Sequence, residues 1–564
     1  MRLADFFFDR SLLIILFKET VFTTFQHGKR EYEMNRKLRV GVCCALVALV
    51  FVCQPLIACF TIVVGKDASS NGSVLVGHDE QNTGNLSVNF RKIPRMHYSK
   101  DAMVDLKNGG KIPQVAETNA FLWSEIPGAT SSDGYLNEFG VVIVSDFCPD
   151  RMPNLSMLEK EGQIKNGGLA YLLRRFVAER AKTAREGVQI IGDLIDKYGY
   201  VSNRTFVIAD PNEAWLMAVT KGNKWVAERV PDDQVALLPN VYTIQDVNPQ
   251  DTKNFVVSKD LIKYATEKGW YNPEKTQVFN FSEVYSEPRE QLMDPRHWLS
   301  EGLITQKKID RSPDRRLPFS VKPAKKISVQ DIMAVLRHTN TDNYMNKMYD
   351  IATVDGKKKD PENWQWRNIC LRRTQEGGVF ELSSKLPPAI GCIYWRTSAA
   401  PNTGILTPWY IGTTDTPDSY YYSGDLDKVL TADYHFNPKT YSSEPNYKKA
   451  WWIFRKLQAQ VDRDSMQKTS IVRKIWDKEE NRLITDQSKV QAEAMKLYKK
   501  NKSAAYKYLT VYCNDVAAKV VNQAQQLSKK FPKLKGNPND VLDPGAKPIQ
   551  ICSPTGETSP AATD

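Results

Sequence analysis

A short apolar segment and the residue that follows it constrain this chain more than any other feature. Residues 34 to 59 read MNRKLRVGVCCALVALVFVCQPLIAC, in which Arg36, Lys37 and Arg39 precede an apolar run from Val40 to Val52. A membrane-spanning helix needs about 20 consecutive apolar residues, and this run falls short of that. Basic residues, a brief apolar stretch, a helix-breaking Pro55 and a small Ala58 together have the architecture of a signal peptide cut after Ala58. The competing reading is a single membrane anchor. If the segment is a leader, the chain is exported to a periplasm or the cell exterior. Signal peptidase is then its maturation partner, and the folded protein begins at Cys59.

Residues 1 to 33 do not belong to that pattern. They carry a second apolar patch, SLLIILF, followed by a mixed-charge stretch that no exported leader requires, so Met34 is the expected start. Leu56-Ile57-Ala58-Cys59 also satisfies a bacterial lipobox, after which the sulfur carries diacylglycerol and the amine an acyl chain. That outcome makes the protein a lipid-anchored, noncatalytic envelope protein, because lipid occupies both groups that a terminal cysteine uses in catalysis.

Beyond Cys59 the chain is set to fold. FTIVV and SVLVG are β-rich runs flanking KDASSNG, whose Asn71-Gly72 pair suits a turn with positive φ. This hairpin places residue 59 at the end of a strand. GVVIV at 140 to 144 reads as a buried strand. Two amphipathic helices follow, GLAYLLRRFVAERA and AREGVQIIGDLIDKYG, and then the strands TFVIAD, AWLMAVT and KWVAERV, separated by Pro211-Asn212 and Gly222-Asn223. Strands, then helices, then strands again indicate an α+β layered fold. From Pro249 to Pro323 the sequence turns polar and proline-rich and reads as an excursion around the core. Helical periodicity returns in VQDIMAVLRH, and VFELSS and IGCIYWRT are further strands. The segment from about Glu444 to residue 530 is strongly helical, and 531 to 564 reads as a flexible tail.

Composition serves mainly to exclude. The net charge of +12 raises the question of nucleic acid. The lysines gather at helical spacing in KLYKKNKSAAYKY and LSKKFPKLK, which reads as a solvated face, and no nucleic-acid motif accompanies them. Of the nine cysteines, Cys43, Cys44 and Cys53 lie in the leader and the others form no CxxC pair, which removes zinc-ribbon and thioredoxin readings. Cys148, Cys370, Cys392, Cys513 and Cys552 read as buried or incidental thiols.

A cysteine at a chain terminus has its own amine beside its sulfur, and that amine has an ordinary pKa of about 7.7 to 8.0. Nucleophile and proton acceptor can therefore come from one residue, with no partner histidine. No HExxH is present. Residues alone leave this chemistry open, because a small residue before a cysteine is common after a signal peptide.

The opening CFTIVVGKDASSNGSVLVGHDE resembles the start of mature dipeptidase A enzymes. The resemblance continues in order through VNFRKIPRMHY, GYLNEFGVVIVSD, ERAKTAREGVQIIGDLIDKYGY, IADPNEAWLMAV, WVAERVPDDQVALLPNVYTI, RLPFSVKPAKKISVQDIMAVLR and WYIGTTDTPDSYY, covering residues 59 to about 530. It implies an N-terminal-nucleophile (Ntn) hydrolase domain with an αββα four-layer sandwich and a helical C-terminal region, related to secernins and, more remotely, to penicillin V acylases and bile salt hydrolases. It further implies hydrolysis of dipeptides or short peptides without metal or organic cofactor.

On that resemblance Cys59 is the nucleophile and its freed amine the base. Asn137 in GYLNEFG matches an oxyanion-hole asparagine and Asn240 in LLPNVYT a second polar group near the cleft. The plain alternative for each is a turn asparagine. Arg296 in MDPRHWL falls in a stretch similar to the family's Pro-Arg-x-Trp segment, with an ordinary salt-bridging arginine as its alternative. The sequence departs from the family in GHDEQ, where His78, Asp79 and Gln81 replace an arginine, an asparagine and an aspartate. Asp79 is expected to take over the carboxylate role. Subunit number stays open, a homo-oligomer included.

Overall fold

The computed structural model describes residues 59–542 apart from 82–86, 107–109, 129–133, 171, 288–294, 310–316, 340–352, 355–356, 359–367, 437–443 and 463–465. The expected leader, its cleavage point on the Ala58 side and Met34 lie outside the described residues, as does Cys552.

The hairpin forms where its sequence places it. FTIVV becomes strand Phe60–Val64, and SVLVG opens the longer strand Val74–Gln81. The two pair antiparallel with Ile62 opposite Gly77, and Gly72 takes a φ of 81° in the connecting loop, which a residue without Cβ adopts freely.

These strands lie at the centre of the first of two large sheets. In spatial order that sheet runs Ser320–Val321, Val235–Leu238, Phe60–Val64, Val74–Gln81, Thr374–Leu382, Cys392–Ser398 and Thr407–Tyr410, antiparallel throughout. The second sheet, also antiparallel, runs Phe255–Val257, Trp225–Arg229, Ala214–Val219, Arg204–Ala209, Val142–Phe147, Gly134–Asn137, Phe121–Glu125 and Asn89–Ile93.

Period-two alternation decides what each face touches. On the second sheet Leu136, Val142, Val144, Val207 and Leu216 join one apolar cluster with residues of the first sheet. Their alternates Tyr135, Ile143, Phe206, Ile208 and Trp215 form another cluster with Phe176, Val188, Ile191 and Ile195 of the helices Leu173–Arg180 and Ala184–Tyr198. The second helix starts at Thr183, whose side chain accepts from Glu186 N, and its apolar spacing supplies the buried stripe.

On the first sheet, Gly77 has no side chain because helix Val329–Leu336 needs the space. A Cβ there would stand 2.3 Å from Ile332 Cγ2 and 2.8 Å from Ile62 Cγ2. That helix is fixed by a capping box between Ser328 and Asp331. Ile62 and Gly77 therefore face this helix, and Thr61, Val76, His78 and Glu80 face the opposite way, toward the second sheet.

The expected C-terminal helical region is present as Ala450–Asp462, Met466–Lys500 and Lys502–Ser528. It is moored by polar contacts as well as packing to the loop that joins the last two strands of the first sheet. Trp476 Nε1 donates to Thr403 O at 3.0 Å, and Glu480 Oε1 accepts from Leu406 N at 2.8 Å. Two expectations need correction. The stretch from Pro249 to Pro323 carries helices at Leu261–Glu267, Phe281–Tyr285 and Pro295–Thr305 as well as irregular chain. The C-terminal tail is not wholly loose either. Pro538–Leu542 is helical, and buried Asn539 accepts from Arg455 Nε at 2.8 Å, because Arg455 needs an acceptor inside the core. No helix among the described residues is long and apolar enough to cross a membrane.

Candidate active site

Cys59 immediately precedes the Phe60–Val64 strand and is 1% exposed. The register sets Phe60 opposite Asp79 and Thr61 opposite His78, so Cys59 stands across from Glu80. Alternation then divides the neighbouring side chains between the two faces. Cys59, Thr61, His78 and Glu80 share the face toward the second sheet, whereas Asp79 and Gln81 lie on the other face.

On the Cys59 face the polar groups link in series. The Cys59 thiol donates to Glu80 Oε1 at 3.0 Å. Glu80 Oε2 is 3.4 Å from His78 Nε2. His78 Nδ1 lies 2.8 Å from Thr61 Oγ1 and 3.5 Å from Oδ1 of Asp146, which reaches across from the second sheet. Burial, with the Glu80 and Asp146 carboxylates adding to it, pushes the Cys59 thiol well above its ordinary pKa. Burial also disfavours charge on His78, but the Glu80 hydrogen bond and the Asp146, Glu80 and Asp79 fields outweigh it and raise the imidazole pKa. Burial raises Asp146 to about 6.

On the opposite face the polar groups bond to backbone and to each other. Asp79 Oδ1 accepts from Phe60 N at 2.8 Å and Oδ2 from Gln81 Nε2 at 2.7 Å, and burial raises this carboxyl to about 8. Gln81 Nε2 also donates to Ile369 O.

A third group arrives from Pro295–Thr305. Arg296 is fully buried and donates through Nη1 to Cys59 O at 2.7 Å and to Asn240 Oδ1 at 3.0 Å, and through Nη2 to Pro239 O. Asn240 has a φ of 67°, a left-handed conformation uncommon outside glycine, and donates through Nδ2 to Phe147 O at 3.0 Å. One guanidinium thus ties the residue that leads into the strand to a strained loop and, through it, to the end of a second-sheet strand. Among the described residues no group of three or more His, Cys, Asp or Glu could hold a metal ion.

Residues 58–478 match Peptidase family C69, a span that begins one residue before Cys59. The chain belongs to peptidase family C69. Similar curated relatives include a "Probable dipeptidase" of Latilactobacillus sakei, 26% identical over 64% of this chain and 76% of the relative. A "Probable dipeptidase" of Salmonella dublin is 25% identical over 63% of this chain and 81% of the relative. A solved conjugated bile acid hydrolase from Clostridium perfringens covers 61% of this chain and 89% of its own at 10% identity, with a TM-score of 0.24, a likeness too low to carry weight.

Within this C69 chain the expected site residues separate. Cys59, Asn240 and Arg296 come together. Asn137 does not join them. Its amide donates to Ala178 O at 3.0 Å and Ala181 O at 2.7 Å, and its Oδ1 accepts from Phe139 N and Val141 N, each at 3.0 Å. It lies on the helix-covered face of the second sheet, where it closes a tight turn and ties down the end of Leu173–Arg180. Its carboxamide has no donor to spare for an oxyanion. Asp79 lies beside Cys59 along the chain pairing but on the wrong face for the thiol, and the carboxylate that meets the sulfur is Glu80. Glu80, and Asp146 with it, escaped the sequence reading. The Glu80 signal was present in the strand alternation of GHDEQ, but Asp146 is brought in by sheet packing that no local pattern reveals. The remaining described cysteines, Cys148, Cys370, Cys392 and Cys513, are buried.

Proposed function

We propose that this chain is an exported cysteine dipeptidase of the Ntn type, built as an αββα four-layer sandwich, with Cys59 as its nucleophile once the bond to Ala58 is cut. Family membership supports a hydrolase acting on peptides, and the relatives' names favour dipeptides. The observation that carries the mechanism is the Arg296 fork, which holds Cys59 O and Asn240 Oδ1 in one place.

While Cys59 remains inside an uncut chain, its thiol is kept protonated by burial and two carboxylates. Cutting after Ala58 creates an amine with an ordinary pKa of about 7.7 to 8.0, within reach of the sulfur of the same residue. The amine takes the thiol proton, and Sγ attacks the peptide carbonyl. The amine then returns the proton to the leaving nitrogen, and water hydrolyses the thioester. Asn240 donates one amide hydrogen to Phe147 O, and its carboxamide has a second to offer the developing oxyanion.

Burial of Cys59 between sheets also favours a free thiol over the lipid-anchored alternative, because a diacylglycerol thioether there would have to displace core side chains. The test is the intact mass of the secreted protein together with dipeptide hydrolysis. The mass should begin at unmodified Cys59, and Cys59→Ala should abolish hydrolysis that Cys148→Ala retains. Hydrolysis persisting in Cys59→Ala overturns the mechanism, and a fatty-acylated terminus overturns the peptidase reading altogether.

A further inference from the structure

We propose that Glu80, clamped by His78 and through it by Asp146, is the positioning carboxylate of the nucleophile, the role that Asp79 cannot fill. This rests on Cys59 being the nucleophile. Three observations place the role on Glu80. Its Oε1 is the hydrogen-bond acceptor of the Cys59 thiol at 3.0 Å, and it lies on the same face of its strand as Cys59 does on the neighbouring one. Its second oxygen is 3.4 Å from His78 Nε2, whose other nitrogen meets Thr61 and Asp146, so the carboxylate is held from behind. Both oxygens of Asp79 are taken by Phe60 N and Gln81 Nε2.

The chemistry follows from charge placement. A carboxylate touching a thiol disfavours the thiolate, which is a liability unless a cation is to appear in the same spot. Maturation supplies one, since cutting the bond to Ala58 puts an ammonium on the residue whose sulfur Glu80 already holds. Glu80 then accepts hydrogen bonds from the Cys59 terminus and fixes the orientation of amine and sulfur toward the substrate. No proton passes through it, and the thiol proton goes to the amine as before.

The comparison that tests this is between Glu80→Gln and wild type in the mature protein. Gln keeps the shape and an acceptor oxygen but removes the charge. Alkylation of Cys59 by iodoacetamide should then accelerate at neutral pH, its midpoint moving down by about one pH unit as a like charge leaves. Dipeptide turnover should fall by about tenfold or more in kcat with little change in KM, because the amine loses its anchor. A merely structural role would not move reactivity and turnover in opposite directions. If Glu80→Gln does not fold, Asp146→Asn reads the same chain from its far end and should shift the alkylation midpoint in the same direction. Unchanged alkylation and turnover in a folded Glu80→Gln protein, or alkylation that slows, overturns the proposal. Failure of the underlying reading is told apart by two controls: Cys59→Ala retains hydrolysis only if Cys59 is not the nucleophile, and wild-type mature protein hydrolyses no dipeptide only if the dipeptidase reading itself fails.

Discussion

Arg296→Lys is the substitution whose cost the site geometry defines most closely. The guanidinium donates to at least three buried acceptors, Cys59 O, Asn240 Oδ1 and Pro239 O. A hydrogen bond from a charged donor contributes about 1.5 to 3 kcal/mol. Lysine keeps the charge but replaces a planar fork with a single ammonium on a differently shaped stem, so it can restore about one of the three contacts and leaves two acceptors under-satisfied. The expected loss is about 3 kcal/mol or more, a large share of the roughly 5 to 15 kcal/mol that stabilises an ordinary domain. Because Asn240 sits in a strained left-handed conformation held in part by Arg296, the loop should also relax and dipeptide kcat/KM should fall by at least about tenfold. Urea unfolding followed by tryptophan fluorescence reads the first quantity, and initial rates on the mature protein read the second. A stability loss below about 1 kcal/mol with unchanged kcat/KM would refute the claim that this fork holds the site together.

Three further outcomes follow from the same geometry. Asn137→Ala should destabilise the fold by about 2 to 4 kcal/mol in urea, yet leave kcat per folded molecule within about twofold; a much larger fall in kcat would restore Asn137 to the oxyanion site. Gly77→Ala should cost about 1 to 3 kcal/mol, because the added methyl meets Ile332 and Ile62 inside ordinary contact distance; an unchanged melting temperature would mean that helix Val329–Leu336 yields freely. Asp79, raised to about 8, Asp146, raised to about 6, and His78, raised above its ordinary value, all bind protons more tightly folded than unfolded. Their stabilisation is therefore full below the unfolded values, near pH 4 for the two carboxyls and 6.5 for the imidazole, and is lost as pH rises through the folded ones. Melting temperature should fall between pH 5 and pH 8 by scanning calorimetry, and Asp79→Asn should flatten that fall; a melting temperature rising over this window would contradict the placement of these groups.

Much of the fold is local and could be read in order along the chain. The Phe60–Val64 and Val74–Gln81 hairpin, the helices after Leu172, the three strands from Arg204 to Arg229 and the C-terminal helices all carry period-two or period-3.6 apolar patterns with turn residues between them. Cys59, Asn240 and Arg296 could be named from sequence, though nothing in the residues between them says that one guanidinium would bind the other two. Asn137 and Asp79 were misplaced for a common reason. An asparagine in a turn and an aspartate in a strand look the same whichever face they occupy.

The sequence alone determined the opening hairpin, the strands and helices that carry clear apolar periodicity, and that alternate residues of GHDEQ lie on opposite sides. Only tertiary structure decided which of those sides is interior. Face is a matter of what lies opposite, and here helix Val329–Leu336 claims the Gly77 side while the second sheet, carrying Asp146, claims the side of His78, Glu80 and the thiol. Contacts between segments far apart along the chain set burial, and burial sets the charge that each group can hold.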